Sequence, residues 1–410
     1  MAELRTLKNG MQIVLVPCDA QSVAFGLFVK SGSRHETSET AGISHFIEHM
    51  LFKGTKKRSQ LDITQAIEGR GGKFNAWTSE ETTGYFTHMP YEYLGEAIDI
   101  ISDMYLNAVI RPNDFQRERE VILEEIKMYA DEPDQVAMEN LQRALFPRHQ
   151  LGEPIAGSEK SLNPLTPAIM KAYIKSHYRP DNTVATLVGN FDVAEAMKLL
   201  EKTLGKLKPN PALPVSANEN AQKFFAPVAE ITATKDIQQT QLALGYRTFG
   251  YEDERKYAAS VFDAIMGRGM SSRLFQEVRE KRGLSYDIGS RMQFFTDAGM
   301  WTVTAGVDPA KADKAIATID REIKRICDKR VSASELNRIK EFLVGNFRIS
   351  HEQVLTRLFF HAQAVMAYGR IVSPEEQVDS VKAVTAADVQ AVARAILKPE
   401  NRSLSRVTPV

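Results

Sequence analysis

Cysteine is almost missing from this chain: 2 in 410 residues, Cys18 and Cys327. They stand far apart and form no C-x-x-C, which excludes a disulfide framework and leaves two reduced, buried thiols. An excess of one charge is missing too. Lys plus Arg and Asp plus Glu both total 52, for a formal net charge of zero. Nothing there supports nucleic acid or an anionic membrane as a partner. No apolar run reaches the roughly 18 residues that a membrane-spanning helix needs, so no membrane partner is expected. The opening stretch MAELRTLKNGMQIVLVP lacks a secretory pattern. Its short apolar run reads as a strand after a Lys8-Asn9-Gly10 turn, and the expected compartment is the cytoplasm. What remains is ordinary for a globular protein, 43% hydrophobic and 25% charged residues, with enough length for two or three domains.

One composition shift divides the sequence. KLKPNPALPVSANENAQK, residues 206–223, is rich in Pro, Ser and Asn with little apolar periodicity, and reads as a linker. The expected division is residues 1–207, a linker at 208–222, and residues 223–410. The halves share an order of events. QSVAFGLFVKSGS and QQTQLALGYRTFG are strand-like; a helical stretch follows each; two further strand-like runs come next (GGKFNAWTSEETTGYFTHMP, RMQFFTDAGMWTVTAGV); long helical patterns then take over. This is a weak internal repeat at a spacing of roughly 200 residues. The expected fold class is α+β: two homologous domains, each a mainly antiparallel sheet with helices packed on one face.

HFIEHMLFKG, residues 45–54, carries the chemistry. A helix from about Gly42 to Phe52 puts His45 and His49 one turn apart on one face, with Glu48 beside them. Ile43, Phe46, Ile47, Met50 and Leu51 make the remaining surface apolar, so the helix is expected to be buried. Buried imidazoles and a buried carboxylate are costly unless paired or bound to a cation. Zinc suits imidazole and carboxylate donors, and a catalytic site uses three protein ligands with one open position. HxxEH is the reverse spelling of the HExxH zinc-hydrolase motif. The bland reading is two core or capping histidines with a chance glutamate. A third ligand is sought in FQREREVILEEIKMYA, residues 115–130. On a helix, Glu118 and Glu125 lie about two turns apart on one face, which is expected to include Val121, Ile122, Met128 and Tyr129, while Glu120 and Glu124 point to solvent. Spacing leaves both Glu118 and Glu125 open as partners of the histidines.

HFIEHMLFKGT, then FNAWTSEETTGYF, then REREVILEE together resemble the pitrilysin/insulinase family of zinc peptidases, in particular its short members. The resemblance implies that His45, His49 and Glu125 hold one Zn2+ per chain, that Glu48 is the general base activating the zinc-bound water, and that Glu118 supports the ligands. It also implies that Asn75 and Ala76 sit in a substrate-binding edge strand, where an unfolded peptide adds as a further strand. In the second half, SSRLFQEVREKRGLSYDIG matches the segment whose Arg279 and Tyr286 bind substrate and stabilise the transition state. Read without the family, those two are a solvated helix charge and a half-buried strand residue. The second half has no HxxEH. His351 and His361, like His35, His88, His149 and His177, read as packing or surface residues.

The implied activity is a zinc endopeptidase acting on unfolded peptides inside a chamber. Longer family members build that chamber from four such domains and this chain supplies two, so a homodimer is implied, or a heterodimer with a related chain. The rival is a non-catalytic core or partner subunit of a heteromeric peptidase or respiratory complex. Such subunits lose zinc ligands or the base, and this sequence keeps them all.

Overall fold

The computed structural model describes residues 2–209, 221 and 229–410. Most of the expected linker at 208–222 lies outside the described residues. Two sheets organise the chain. The first contains β1 (Glu3–Thr6), β2 (Gln12–Pro17), β3 (Ser22–Val29), β4 (Lys73–Thr78), β5 (Thr83–Pro90) and β6 (Thr183–Gly189) in the order β1-β2-β6-β3-β5-β4. The second contains β7 (Glu230–Lys235), β8 (Thr240–Thr248), β9 (Ser285–Phe294), β10 (Gly299–Val307) and β11 (Arg402–Pro409) in the order β7-β11-β8-β10-β9. Each sheet has one parallel pairing, β2 with β6 and β7 with β11, and is otherwise antiparallel. Counted from the β4 and β9 edges, the parallel step is the fourth in both orders. The α+β class and the internal repeat are therefore both present in the topology.

The central strands β2, β3 and β6 of the first sheet are apolar on both faces, with near-continuous runs of Val, Leu, Ala and Phe. Ile13, Leu15, Val23, Phe25, Leu27, Ala185 and Leu187 face one core, with the helices Ile43–Leu51, Gln60–Glu68 and Leu94–Asn107 above them. The alternate residues Val14, Val16, Ala24, Phe28, Val184 and Val188 face a second, smaller core. Period-two alternation sends these sets to opposite sides. The second face is covered by the helix Val354–Tyr368, whose Leu358, Ala362 and Val365 recur at helical spacing. The second sheet repeats the device. Most of its helices share a core with Leu242, Leu244, Trp301 and Val303. The helix Pro133–Leu145 packs Ala137, Leu141 and Leu145 on the other side, against Ala243, Met300 and Val407. Gly245 permits this approach, since a Cβ there would lie 3.0 Å from Leu141 Cδ2.

Each sheet thus has most of its helices on one face, as expected, plus one longer helix on the other among the described residues. That longer helix comes from the opposite half of the sequence. One compact unit comprises Met1–Ile126, Pro154–Asn218 and Ile349–Ser373; the other comprises Lys127–Glu153, Glu219–Arg348 and Pro374–Val410. A single cut at 208–222 does not separate them. A strand run apolar on both faces must be covered twice, and the local chain supplies only one cover. Removing a buried side chain from that second cover should be costly. Leu358→Ala is expected to destabilise the first sheet by about 2–5 kcal/mol, read as faster hydrogen exchange in β2, β3 and β6 and an earlier denaturant midpoint.

Candidate metal centre and its surroundings

The motif helix runs over Ile43–Leu51. Ile43, Phe46, Ile47, Met50 and Leu51 are all buried, so the polar stripe is the side left for chemistry. The helix Pro112–Asp131 lies beside it: Phe115 stacks on Phe46 with ring centroids 4.4 Å apart. Phe115, Glu118 and Ile122 are its buried residues. Glu118 and Ile122 lie one turn apart, and Glu125 follows on the same face. Val121 and Met128, expected on this face, are instead 49% and 51% exposed. They lie past its edge, because at 3.6 residues per turn a stripe centred on Ile122 turns both away by somewhat more than a right angle. Glu120 and Glu124 are exposed, as the spacing required.

Three donors converge. His45 Nε2 and His49 Nε2 lie 3.8 and 3.6 Å from the same oxygen, Oε2 of Glu125. One ligand atom from each of the three residues lies within 4.8 Å of the others. Tetrahedral zinc with bonds of about 2.0–2.1 Å spaces neighbouring donors by about 3.3 Å, so the set needs only a small contraction to close on an ion. Burial favours the neutral, ligating form of imidazole. It pushes His45 down to about 4, helped by His49 and opposed by the Glu125 carboxylate. His45 Nδ1 is buried without a hydrogen-bond partner among the described residues, and Nε2 is the nitrogen turned toward Glu125. The donor set fits zinc.

Two other carboxylates border the set. Glu118 Oε2 lies 3.2 Å from His49 Nδ1, and its Oε1 lies 2.6 Å from Lys53 Nζ. Burial pushes Glu118 up, but hydrogen bonds from His49 and Lys53 outweigh it and hold the carboxyl below its usual range. Glu48 takes a 2.6 Å hydrogen bond from the Thr78 hydroxyl on β4. Burial raises its pKa despite that bond.

β4 is the edge of the first sheet, so among the described residues one side of its backbone has no neighbouring strand. Ala76 N–H donates to the Asn75 side-chain oxygen at 2.9 Å, so this amide points away from β5. In the second unit, Arg279 lies between two rings, with its guanidinium carbon 4.7 Å from the centroid of Phe275 and 4.8 Å from that of Tyr286. Tyr286, read without the family as half-buried, is 78% exposed. Phe275–Glu280 is a π-helical turn, a local irregularity common at functional positions.

The comparisons with known proteins agree with one another. A family model described as insulinase (peptidase family M16) matches residues 13–159, and one described as peptidase M16 inactive domain matches residues 164–343. An uncharacterized zinc protease of Bacillus subtilis (strain 168) is 32% identical over 410 residues, covering 100% of this chain and 98% of its relative. An uncharacterized zinc protease of Mycobacterium tuberculosis (strain ATCC 25618 / H37Rv) is 34% identical over 394 residues, covering 96% and 90%. The chain belongs to the insulinase family of peptidases, family M16. The M16 architecture extends to solved structures. A protease from Helicobacter pylori superposes with a TM-score of 0.93 at 21% identity, covering 100% of both chains. A peptidase M16 inactive domain from Pseudomonas fluorescens gives 0.92 at 19% identity, covering 100% of this chain and 98% of that one.

Sequence reasoning missed three side chains of this M16 site. Thr78 lies within the quoted FNAWTS run but carries no spacing signal toward Glu48. Lys53 is the penultimate residue of the motif segment and carries no spacing signal toward Glu118. Glu36 stands outside the motif, although it anchors the helix. Gly42, at φ +91°, has no side chain to cap the first turn. Glu36 supplies the missing acceptors: its Oε2 takes Gly42 N–H at 2.7 Å and its Oε1 takes Ser44 N–H at 2.8 Å. Burial pushes Glu36 up to about 7, and the Ser44 and Gly42 amides oppose the shift. An acid whose folded pKa lies above its unfolded value contributes stability below the unfolded pKa and loses it as pH rises through the folded one. The stability of the wild type relative to Glu36→Gln should therefore fall between pH about 4.5 and about 7, as read by urea denaturation at the two ends of that window.

Proposed function

We propose that this chain is a zinc-dependent endopeptidase that hydrolyses unfolded peptides. One observation carries the reading: two imidazole nitrogens on one buried helix and a carboxylate oxygen from another converge within 4.8 Å, with Glu48 on the same helix hydrogen-bonded at 2.6 Å to the edge strand β4. His45, His49 and Glu125 would hold the ion. When bound, zinc supplies a Lewis acid that polarises the scissile carbonyl and acidifies the attacking water. Glu48 takes the proton of that water and passes it to the leaving amine. A substrate added to β4 as a strand would present its backbone beside Thr78 and Glu48, and backbone pairing favours extended chains over folded ones with little sequence preference. Asn75 would release the Ala76 amide to that strand. Arg279, stacked near Phe275 and Tyr286, would offer donors together with the Tyr286 hydroxyl for the charge that develops on the carbonyl oxygen.

The competing reading is a non-catalytic partner subunit. It is disfavoured by the intact ligand set, by a base with a raised pKa, and by relatives named as zinc proteases. The test uses an unstructured peptide library, analysed by mass spectrometry. Glu48→Gln is expected to bind zinc like the wild type and to lose hydrolysis by about 10²–10⁴-fold, the usual contribution of a positioned general base. His45→Ala is expected to lose zinc and activity together. Wild-type cleavage rates in Glu48→Gln would remove Glu48 from the mechanism.

The quaternary reading is a homodimer, since each chain carries both the metal set and the Arg279–Tyr286 pair. The family resemblance then has the pair of one subunit serving the metal centre of the other. Mixing inactive Glu48→Gln protein with inactive Tyr286→Phe protein should restore part of the activity after subunit exchange. A mixed dimer that forms but stays inactive would contradict a shared site.

A further inference from the structure

Lys53 follows the motif helix by two residues and stands four positions after His49. Its backbone is pinned from two sides. Lys53 N–H donates to Met50 O at 3.1 Å, and Arg111 Nη1 donates to Lys53 O, also at 3.1 Å. The residues that follow are stitched to the entry of the helix Pro112–Asp131: Val109 N–H donates to Gly54 O at 3.1 Å, and Lys56 N–H to Asn107 O at 3.2 Å. Thr55 also bridges Ala108. These pins fix the register of residue 53 against the helix that carries Glu118 and Glu125.

The side chains use that register. Lys53 Nζ lies 2.6 Å from Glu118 Oε1, and the two side chains are 20% and 9% exposed. Glu118 Oε2 faces His49 Nδ1 at 3.2 Å. Each oxygen of the carboxylate therefore has its own partner. With Oε1 tied to an ammonium, Oε2 is left as the acceptor for an Nδ1–H proton. That proton position makes Nε2 the lone-pair nitrogen, and Nε2 is the atom 3.6 Å from Glu125. The hydrogen bond at one ring nitrogen sets what the other can bind. A carboxylate without this clamp would be free to rotate, and the ring would lose its fixed acceptor.

We infer that Lys53 is a positioning residue for the metal centre, acting through Glu118 to hold His49 in its ligating tautomer and orientation. The inference rests on the reading that His45, His49 and Glu125 hold zinc. It is tested on the full chain by zinc affinity, from competition with a chromophoric chelator, in wild type, Lys53→Met, Lys53→Arg, Glu118→Gln and the double variant Lys53→Met/Glu118→Gln. Thermal unfolding of the metal-free proteins is recorded alongside. Loss of such an outer partner usually weakens metal binding by about 10–100-fold, and Lys53→Met is expected in that range. Lys53→Arg, which keeps the charge, should recover most of the affinity. The double variant should bind no more weakly than Glu118→Gln alone, because a residue acting only through another adds nothing once that other is gone. A loss of metal-free stability could accompany either a positioning or a gluing role; only the coupled zinc affinities are specific to positioning. Wild-type affinity in Lys53→Met, or a double variant whose loss is the product of the single losses, overturns the inference while leaving the zinc site standing. Failure of the wild type itself to bind zinc overturns the reading of the site, and this inference with it.

Discussion

A buried helix has to find a partner for every polar atom it carries, and that requirement governs this structure. The helix Ile43–Leu51 is walled by Ile43, Phe46, Ile47, Met50 and Leu51. Two imidazoles and a carboxylate on such a helix would be prohibitively costly if left alone. The surrounding elements are placed so that they are not. Glu125 meets both Nε2 atoms, Glu118 meets His49 Nδ1, Thr78 meets Glu48, and Glu36 meets the open amides of the first turn. His45 Nδ1 alone stays unpaired among the described atoms of this group. The same contacts that make the helix tolerable also aim its nitrogens at one point. Stability and the capacity to hold a cation come from one set of interactions.

The sheets show how the scaffold reaches the required rigidity. Each has strands that are apolar on both faces, and each receives its second cover from the other half of the chain, by way of Pro133–Leu145 in one case and Val354–Tyr368 in the other. Burying a Leu, Val or Phe side chain contributes about 1.5–3 kcal/mol, so a helix with three or four such contacts is a substantial fastener. β3, β5 and β6 sit behind the site, clamped from both sides, and β4 is left at the edge with one open row of backbone groups.

Electrostatics divides the four carboxylates of the region by environment. Glu48 and Glu36 are raised by burial, whereas Glu118 is held down by Lys53 and His49. Glu125 faces the two histidines. Groups of one chemical type thereby stand in different electrostatic environments, and the tasks proposed for them differ accordingly.

Much of this was legible in the chain itself. The i, i+4 histidines, the apolar remainder of their turn, and the acids seven apart on a second helix are local facts fixed by 3.6 residues per turn, and local geometry survives in any fold that keeps the helices. The repeat of strand and helix patterns was readable for the same reason, as was the division of Glu118 from Glu120 and Glu124. The edges of the packing face were less so, since Val121 and Met128 turned outward where the stripe centre moved to Ile122. β7 and β11 escaped detection because Thr, Lys, Ser and Arg dilute their apolar signal. Which helix covers which face, that Thr78 reaches Glu48, that Lys53 reaches Glu118 and that Glu36 caps the motif were settled only by tertiary structure. Those pairings join residues 6 to 65 positions apart or bring in whole elements from the other half, and they depend on the register of one packed element against another, which no periodicity along the chain encodes.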